Sequence, residues 1–387
     1  MTPRRIHFAI DQRQDFFLSL AYARMLAERR GEQAFETVAL ILAGSMVDEY
    51  RPYLAGFDRV ELLPGYHPPN RLRELVPILR RALAYRRAVR ALGLGAADVV
   101  VGYSFRAIVL NAIARSAGEK PFLVRVRKCD HEQERLLTRR RPVVSAYWNV
   151  WNRAFGYSAL RYRWLPSSNR HGTATYLRDP FDAEFCLDAG ACTGESPAGR
   201  LPWPLAVLRR DRDPAQQATP AVVVLGERYP LVEGDDLERF RARFDEVLRF
   251  VRAVHPGHRL IFKPRSELSF IGQDLEGYEQ GPTDAVLESL LLADPSIEKV
   301  LSFKSSGSLI APQYGAVGYL LYPLCDLPAD FRAHLDGYFL GARDSVVFVE
   351  RLEDVVSAPA PAAVAGAARV REESQPLLDV LLRGRAA

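Results

Sequence analysis

Three stretches in the second half of the chain hold residue types that could work on a phosphate ester. The longest, Lys299-Val300-Leu301-Ser302-Phe303-Lys304-Ser305-Ser306-Gly307-Ser308-Leu309, reads as a strand that ends in hydroxyl residues and a glycine before a helix. A helix start offers unpaired backbone N–H groups and a partial positive charge, both suited to phosphate. The Ser305 and Ser306 hydroxyls add donors, and Gly307 lets a ligand approach the backbone. The plain alternative is an ordinary helix cap, since serine is a preferred N-cap residue. The second stretch, Phe262-Lys263-Pro264-Arg265, sets two cations just past a strand. Arg265 could grip a phosphate with two N–H groups, and Lys263 could act as a point charge. Alone, this pair is better read as a solvated loop with its charges facing water. The third, Leu225-Gly226-Glu227 through Glu233-Gly234-Asp235-Asp236, places carboxylates after another strand. One of them could take a proton from an attacking hydroxyl. Glu233 is the principal candidate base and Glu227 its competitor. Gly226 would leave space for a ligand, while Asp235 and Asp236 also fit as helix caps.

What must position these stretches is a repeated strand–helix alternation. Strand-like runs at 6–10, 37–42, 59–63, 97–101 and 121–127 alternate with helical patterns at 16–27, 72–92 and 106–116. In the helix at 72–92, Leu75, Leu79, Leu83 and Val89 share one side. A second series begins at 221–225, followed by an amphipathic helix at 236–254 and strands at 260–262, 299–303, 317–321 and 346–349. This rhythm predicts mostly parallel sheets with helices on both faces, an α/β class with two Rossmann-like halves. The expected division is an N-terminal domain over 1–200, a Gly/Pro/Asp-rich linker over 201–220, a nucleotide domain over 221–345 and a strand–helix tail over 346–387. On the N-terminal side, Asp11 and Ser104 follow strands and are candidates for acceptor contact. His7 is a weaker one, since a histidine near a strand is more often packed. The aromatic run from Tyr147 to Trp164 reads as core packing or as an interfacial platform, and Arg80, Arg81, Arg86, Arg87 and Arg90 as a solvated helix face.

Bulk properties narrow the classes. The chain has 387 residues, 52 cationic against 47 acidic, which is near balance and only weakly favours an anionic partner. Basic residues are scattered and no nucleic-acid module is visible, so nucleic acid is not an expected partner. Cys129, Cys186, Cys192 and Cys325 form no CxxC pair, which argues against zinc, and a disulfide framework is not expected in a chain this long. No GxGxxG or Walker pattern occurs. The start runs into a strand-like segment without an apolar h-region, and no apolar run reaches the ~18 residues of a spanning helix, so a cytoplasmic location is expected.

The three stretches occur in a fixed order, each just after a strand. In this they resemble the bacterial sialyltransferase and polysialyltransferase families that use cytidine monophosphate-activated sugars. Those families carry an acidic-acidic-Gly motif, then a Lys-Pro-His-Pro-like motif, then a Ser-Ser/Thr motif. Here Val232-Glu233-Gly234, Lys263-Pro264-Arg265 and Ser305-Ser306 stand at those places, mainly within residues 221–325. The two halves also match the GT-B arrangement, with ligands in the cleft at the carboxyl ends of the strands. Two departures stand out. Val232 replaces the first acidic residue. Arg265 replaces a histidine that assists the departing phosphate, and arginine can neutralise that phosphate but cannot serve as a general acid. His255-Pro256, one strand earlier, reads as a helix end. The resemblance implies an inverting, metal-independent transfer of a nonulosonic acid, or of Kdo, from its CMP-activated form to a bacterial surface glycan or glycolipid. No cofactor beyond that donor is implied, and peripheral contact with the inner face of a membrane stays open. Glu233 would be the base, with Gly226, Lys263, Arg265, Ser305, Ser306 and Gly307 around the nucleotide phosphate. Two rival readings remain: a GT-B transferase using a UDP- or GDP-sugar, and a nucleotide- or glycan-binding component of a capsule assembly system without turnover.

Overall fold

The computed structural model describes residues 3–10, 13–31, 33–41, 47–64, 75–103, 113, 119–127, 139–140, 160–164, 172–176, 181–187, 200–209, 219–227, 237–265, 274–283, 285–339, 343–357 and 366–384. The first half is built on β1 (Arg4–Ile10), β2 (Phe35–Ile41), β3 (Arg59–Leu62), β4 (Val99–Gly102) and β5 (Phe122–Arg127). A small antiparallel sheet of β6 (Arg139–Arg140), β7 (Leu160–Trp164) and β8 (Gly172–Tyr176) follows, and β9 (Ala183–Leu187) and β10 (Arg200–Leu201) rejoin the main sheet. The main sheet has seven strands, all parallel, in the order β10-β9-β5-β4-β1-β2-β3. The second half contributes β11 (Ala221–Leu225), β12 (Arg259–Lys263), β13 (Glu279–Gln280), β14 (Ile297–Ser302), β15 (Val317–Leu320) and β16 (Val346–Phe348). These form a six-stranded parallel sheet in the order β13-β12-β11-β14-β15-β16.

The strands are short apolar runs because both faces are covered. Every residue of β11 is buried, and so are the last five of β1. The helix Leu237–Val254 lays Phe240, Phe244, Val247, Leu248 and Val251 against one face of the second sheet, the face its periodicity marks. The helix Leu75–Ala91 departs from its pattern: Val89 is buried, but Leu83 is 50% exposed. In each sheet the strand order reverses beside the first strand, between β1 and β4 and between β11 and β14. Chains leaving neighbouring strands there go to opposite faces, which opens a crevice at the carboxyl ends.

Two segments that the sequence sets apart, the linker and the tail, are packed against the rest. Within 201–220 the segment Pro204–Leu208 is no free linker. It is a buried 3-10 helix, and Leu205, Ala206, Val207 and Leu208 sit in an apolar cluster that runs from Phe16 and Phe17 to Leu225, Leu287 and Ile310. The strand and helix of the stretch 346–387 are packed too. β16 completes the second sheet beside β15. The helix Gln375–Arg383 returns to the first half, burying Leu377, Leu378, Leu381 and Leu382 there, with Arg29–Asp379 at 2.7 Å and Arg371–Glu28 at 2.8 Å alongside. Cys186 is disulfide-bonded and Cys325 is free. Among the described residues no helix is long and apolar enough to cross a membrane.

Two buried histidines give this fold a predicted acid lability. His7 lies inside β1, 2% exposed, with both ring nitrogens lacking a partner. Burial pushes its pKa down to about 4; Asp98 opposes the shift, and Arg5 and Arg59 add to it. His255 is likewise held at about 4, by burial and then by the charges of Lys299 and His258. An unfolded chain protonates both rings below about 6.5, whereas the folded one keeps them neutral. The stability they confer is therefore present above 6.5 and is lost as the pH falls from 6.5 towards 4, at up to ~1.4 kcal/mol per pH unit for each ring. Urea midpoints should drop steeply between pH 6.5 and 4.5, and less steeply in His7→Leu/His255→Leu. A flat midpoint over that range would mean that the rings are not buried in neutral form.

Candidate functional site

The second sheet ends in a cleft of about 410 Å³ whose walls come from both halves. Gly226, Lys263, Pro264, Arg265, Ser305, Ser306 and Gly307 all line it, so the donor-side residues singled out by sequence share one site. The reason is topological. Each follows a strand, the strands are parallel, and β12, β11 and β14 are neighbours at the order reversal. The Gly226 N–H donates to the Lys263 carbonyl at 2.8 Å, extending the ladder one residue beyond the strands and fixing these two loops side by side.

Lys263 is nearly buried, and its ammonium donates to the Pro282 carbonyl at 3.2 Å. Arg265 is exposed at the rim. The serine turn is held from below. Ser302 Oγ accepts the Ser305 N–H at 3.2 Å and meets Ser308 Oγ at 2.7 Å, and Ser308 Oγ donates to the Tyr319 carbonyl at 2.8 Å. The Gly307 N–H donates to Ser305 Oγ at 3.2 Å. The helix that follows is one turn, Gly307–Ile310, continued by a 3-10 segment, Ala311–Tyr314. A helix this short has little macrodipole to offer, so the attraction for an anion rests on Arg13, Lys263, Arg265 and the serine hydroxyls.

The wall across the cleft was not found from the sequence. Arg13 and Gln14, at the start of the helix Arg13–Ala27, line it from the first half. Both belong to the polar turn after β1, beside Asp11, and no local pattern distinguishes them. Glu288 lines the same cleft, 4% exposed, in the first turn of the helix Leu287–Ala293. Glu49 clasps the two halves at this edge. Its Oε1 accepts the Val286 N–H at 2.7 Å and the Ser289 hydroxyl at 3.3 Å, and its Oε2 lies 3.9 Å from Arg13.

Asp11, Ser104 and Glu233 lie outside the described residues. Glu227, the competing base, is 1% exposed and accepts the Lys304 N–H at 3.1 Å. Burial pushes its pKa up, while Lys304, Arg265 and the Phe303 backbone pull the other way. A carboxyl so enclosed is poorly placed to deprotonate an incoming hydroxyl. His7 is packed inside its strand, away from any ligand-binding role. His255 precedes β12, at the end of the sheet opposite Lys263, so it cannot stand in for the family histidine.

No protein-family model matches the chain, and no curated protein sequence matches it. Solved structures do. A UDP-N-acetylglucosamine 2-epimerase superposes with a TM-score of 0.52 at 11% identity, over 100% of this chain and 97% of the other. The UDP-N-acetylglucosamine 2-epimerase of Rickettsia bellii gives 0.50 at 9% identity, over 98% and 96%. The glycosyltransferase SnogD of Streptomyces nogalater gives 0.47 at 13% identity, over 100% of both chains. The chain has a two-domain α/β GT-B fold, with two parallel Rossmann-like sheets facing a cleft.

Proposed function

We propose that the protein is a GT-B glycosyltransferase that moves an acidic sugar, a nonulosonic acid or Kdo, from its CMP-activated donor to a glycan or glycolipid hydroxyl. The observation that carries this reading is the charge pattern of the cleft, where Arg13, Lys263 and Arg265 stand with Glu288, the one carboxylate among the described lining residues, and with the hydroxyls of Ser305 and Ser306. Such a site suits a ligand with more than one negative charge and a diol. The nucleotide phosphate would lie against Lys263, Arg265 and the serine turn. Glu288 would accept hydrogen bonds from ribose hydroxyls, and Arg13, on the opposite wall, would meet the carboxylate of the sugar.

Glu233 would take the proton of the acceptor hydroxyl. The acceptor oxygen then bonds to the anomeric carbon from the face opposite the phosphate. The anomeric carbon–oxygen bond breaks, and its electron pair leaves with CMP. Arg265, permanently charged, would stabilise the departing phosphate electrostatically, with no proton delivered to it.

A UDP-sugar reading draws support from the two epimerases that share the fold, each named for a UDP-sugar. Melting temperatures recorded with CMP, UDP, GDP and their sugars separate the readings, because the tightest ligand raises the transition most. CMP and a CMP-activated acid sugar should give the largest shifts; a larger shift with UDP would transfer the assignment. Arg265→Ala should weaken CMP binding ~10- to 100-fold, the worth of ~1.5–3 kcal/mol for a hydrogen bond to a charged group. Unaltered affinity would put the phosphate elsewhere.

A further inference from the structure

Glu227 stands one residue beyond Gly226, whose backbone walls the cleft. Its side chain turns inward, 1% exposed, and reaches the loop after β14, where Oε1 accepts the Lys304 N–H at 3.1 Å. Lys304 immediately precedes the serine turn. Oε2 is buried and meets no hydrogen-bond partner. One carboxyl thus ties the two loops that flank the order reversal, with half of its hydrogen-bonding capacity unused.

We propose that Glu227 is a positioning residue that ties the loop after β11 to the Ser305–Ser306–Gly307 turn and holds that turn in its anion-binding shape, and that an anion entering the cleft draws a proton onto this side chain. The inference rests on the anion-binding reading of the cleft, but not on which nucleotide occupies it. Enclosing an ionised carboxylate with one oxygen unpartnered is costly, whereas the neutral acid leaves only a hydroxyl unsatisfied. Among the described residues the charged groups facing Glu227 are Lys304, beside the serine turn, and Arg265, from the loop after β12. Both favour the ionised form while the cleft is empty. A bound phosphate adds negative charge nearby and draws on Arg265, and both effects favour the protonated form. By linkage, whatever favours proton binding in the complex makes affinity fall as the proton is lost at higher pH.

This sign runs against the ligand. The phosphate of CMP gains its second charge near pH 6, which by itself strengthens binding to a cationic cleft as the pH rises. Glu227→Gln keeps the acceptor for the Lys304 N–H and cannot ionise. Its affinity for CMP should therefore rise between pH 5.5 and 8.5, while that of the wild type falls behind it, to roughly a tenfold gap at the upper end. Glu227→Ala removes the tie and should bind weakly at every pH. Calorimetric titration of the full chain with CMP, and with UDP as a second probe, reads all three proteins.

Parallel pH profiles for wild type and Glu227→Gln would overturn the proposal. So would Glu227→Ala binding as the wild type does, or neither nucleotide binding the wild type at all. If UDP binds and CMP does not, the sugar-donor reading falls, and the Glu227 comparison is decided on UDP. Melting temperatures of the ligand-free variants show which fraction is folded, so that weak binding by Glu227→Ala is scored on folded protein only.

Discussion

Glu233→Gln is expected to bind the donor as tightly as the wild type and to lose transfer by ~10²- to 10⁴-fold, the usual worth of a positioned general base. Glutamine keeps the size and the hydrogen-bonding oxygen of glutamate but cannot accept a proton, so any loss falls on the chemical step. Two described carboxyls, one beside the cleft and one in its wall, are less suited, for different reasons. Glu227 is enclosed, and burial raises its pKa. Glu288 sits in the wall beside Val286 and Leu287, at the start of a helix whose N-terminal backbone is tied to Glu49. That position suits contact with a bound nucleotide better than contact with an acceptor arriving from the opposite half. Glu288→Gln should accordingly raise the donor KM and spare kcat, whereas Glu233→Gln should lower kcat and spare donor affinity. Single-turnover transfer with a CMP-activated acid sugar distinguishes the two. If Glu233→Gln turns over normally while Glu288→Gln is silent, the base is Glu288 and the assignment from sequence was wrong.

Much of this wall of the cleft could be read from residue order because the structure obeys a local rule. In a parallel sheet every residue just past a strand arrives at the same edge, so finding the ends of β11, β12 and β14 was enough to bring Gly226, Lys263 and Ser305 together. The opposite wall obeys no such rule. Arg13 and Gln14 meet the cleft where their helix shares one apolar cluster with Pro204–Leu208, Leu225, Leu287 and Ile310, an outcome of apolar packing over long sequence distances. Glu288 was hidden differently. A carboxylate in the first turn of a helix is what the helix dipole favours anyway, and periodicity does not say which polar residue borders a cavity. The missed strand Ala183–Leu187 is short, and its neighbourhood reads as loop. The homeward helix Gln375–Arg383 has a clear apolar face, but nothing in it names the surface that the face will cover.

Gly318→Ala should cost about 3 kcal/mol or more, since overpacking a tight site costs ~1–3 kcal/mol and here the obstacle is backbone. Gly318 lies in β15 between β14 and β16, and a Cβ built on it would stand 1.9 Å from the Ser308 carbonyl oxygen and 2.8 Å from its carbon. The one-turn helix Gly307–Ile310 therefore rests directly on the strand at this point. An added methyl must lift that helix, and with it the Ser308 hydroxyl that bonds to the Tyr319 carbonyl and to Ser302. Ser302 in turn holds the Ser305 N–H, so the displacement runs into the anion turn and should weaken CMP binding in the fraction that stays folded. Gly307→Ala makes the contrast. Its Cβ would meet the side-chain ends of Leu225 and Leu287 at 2.6 and 2.9 Å, which can rotate away, so a smaller loss is expected. Gly257→Ala meets nothing within 4 Å and serves as the control, within about 0.5 kcal/mol of wild type. Urea midpoints of the three variants rank them. If Gly318→Ala unfolds with Gly257→Ala, the helix does not sit on β15, and the serine turn loses the support that makes it a fixed cradle rather than a loop.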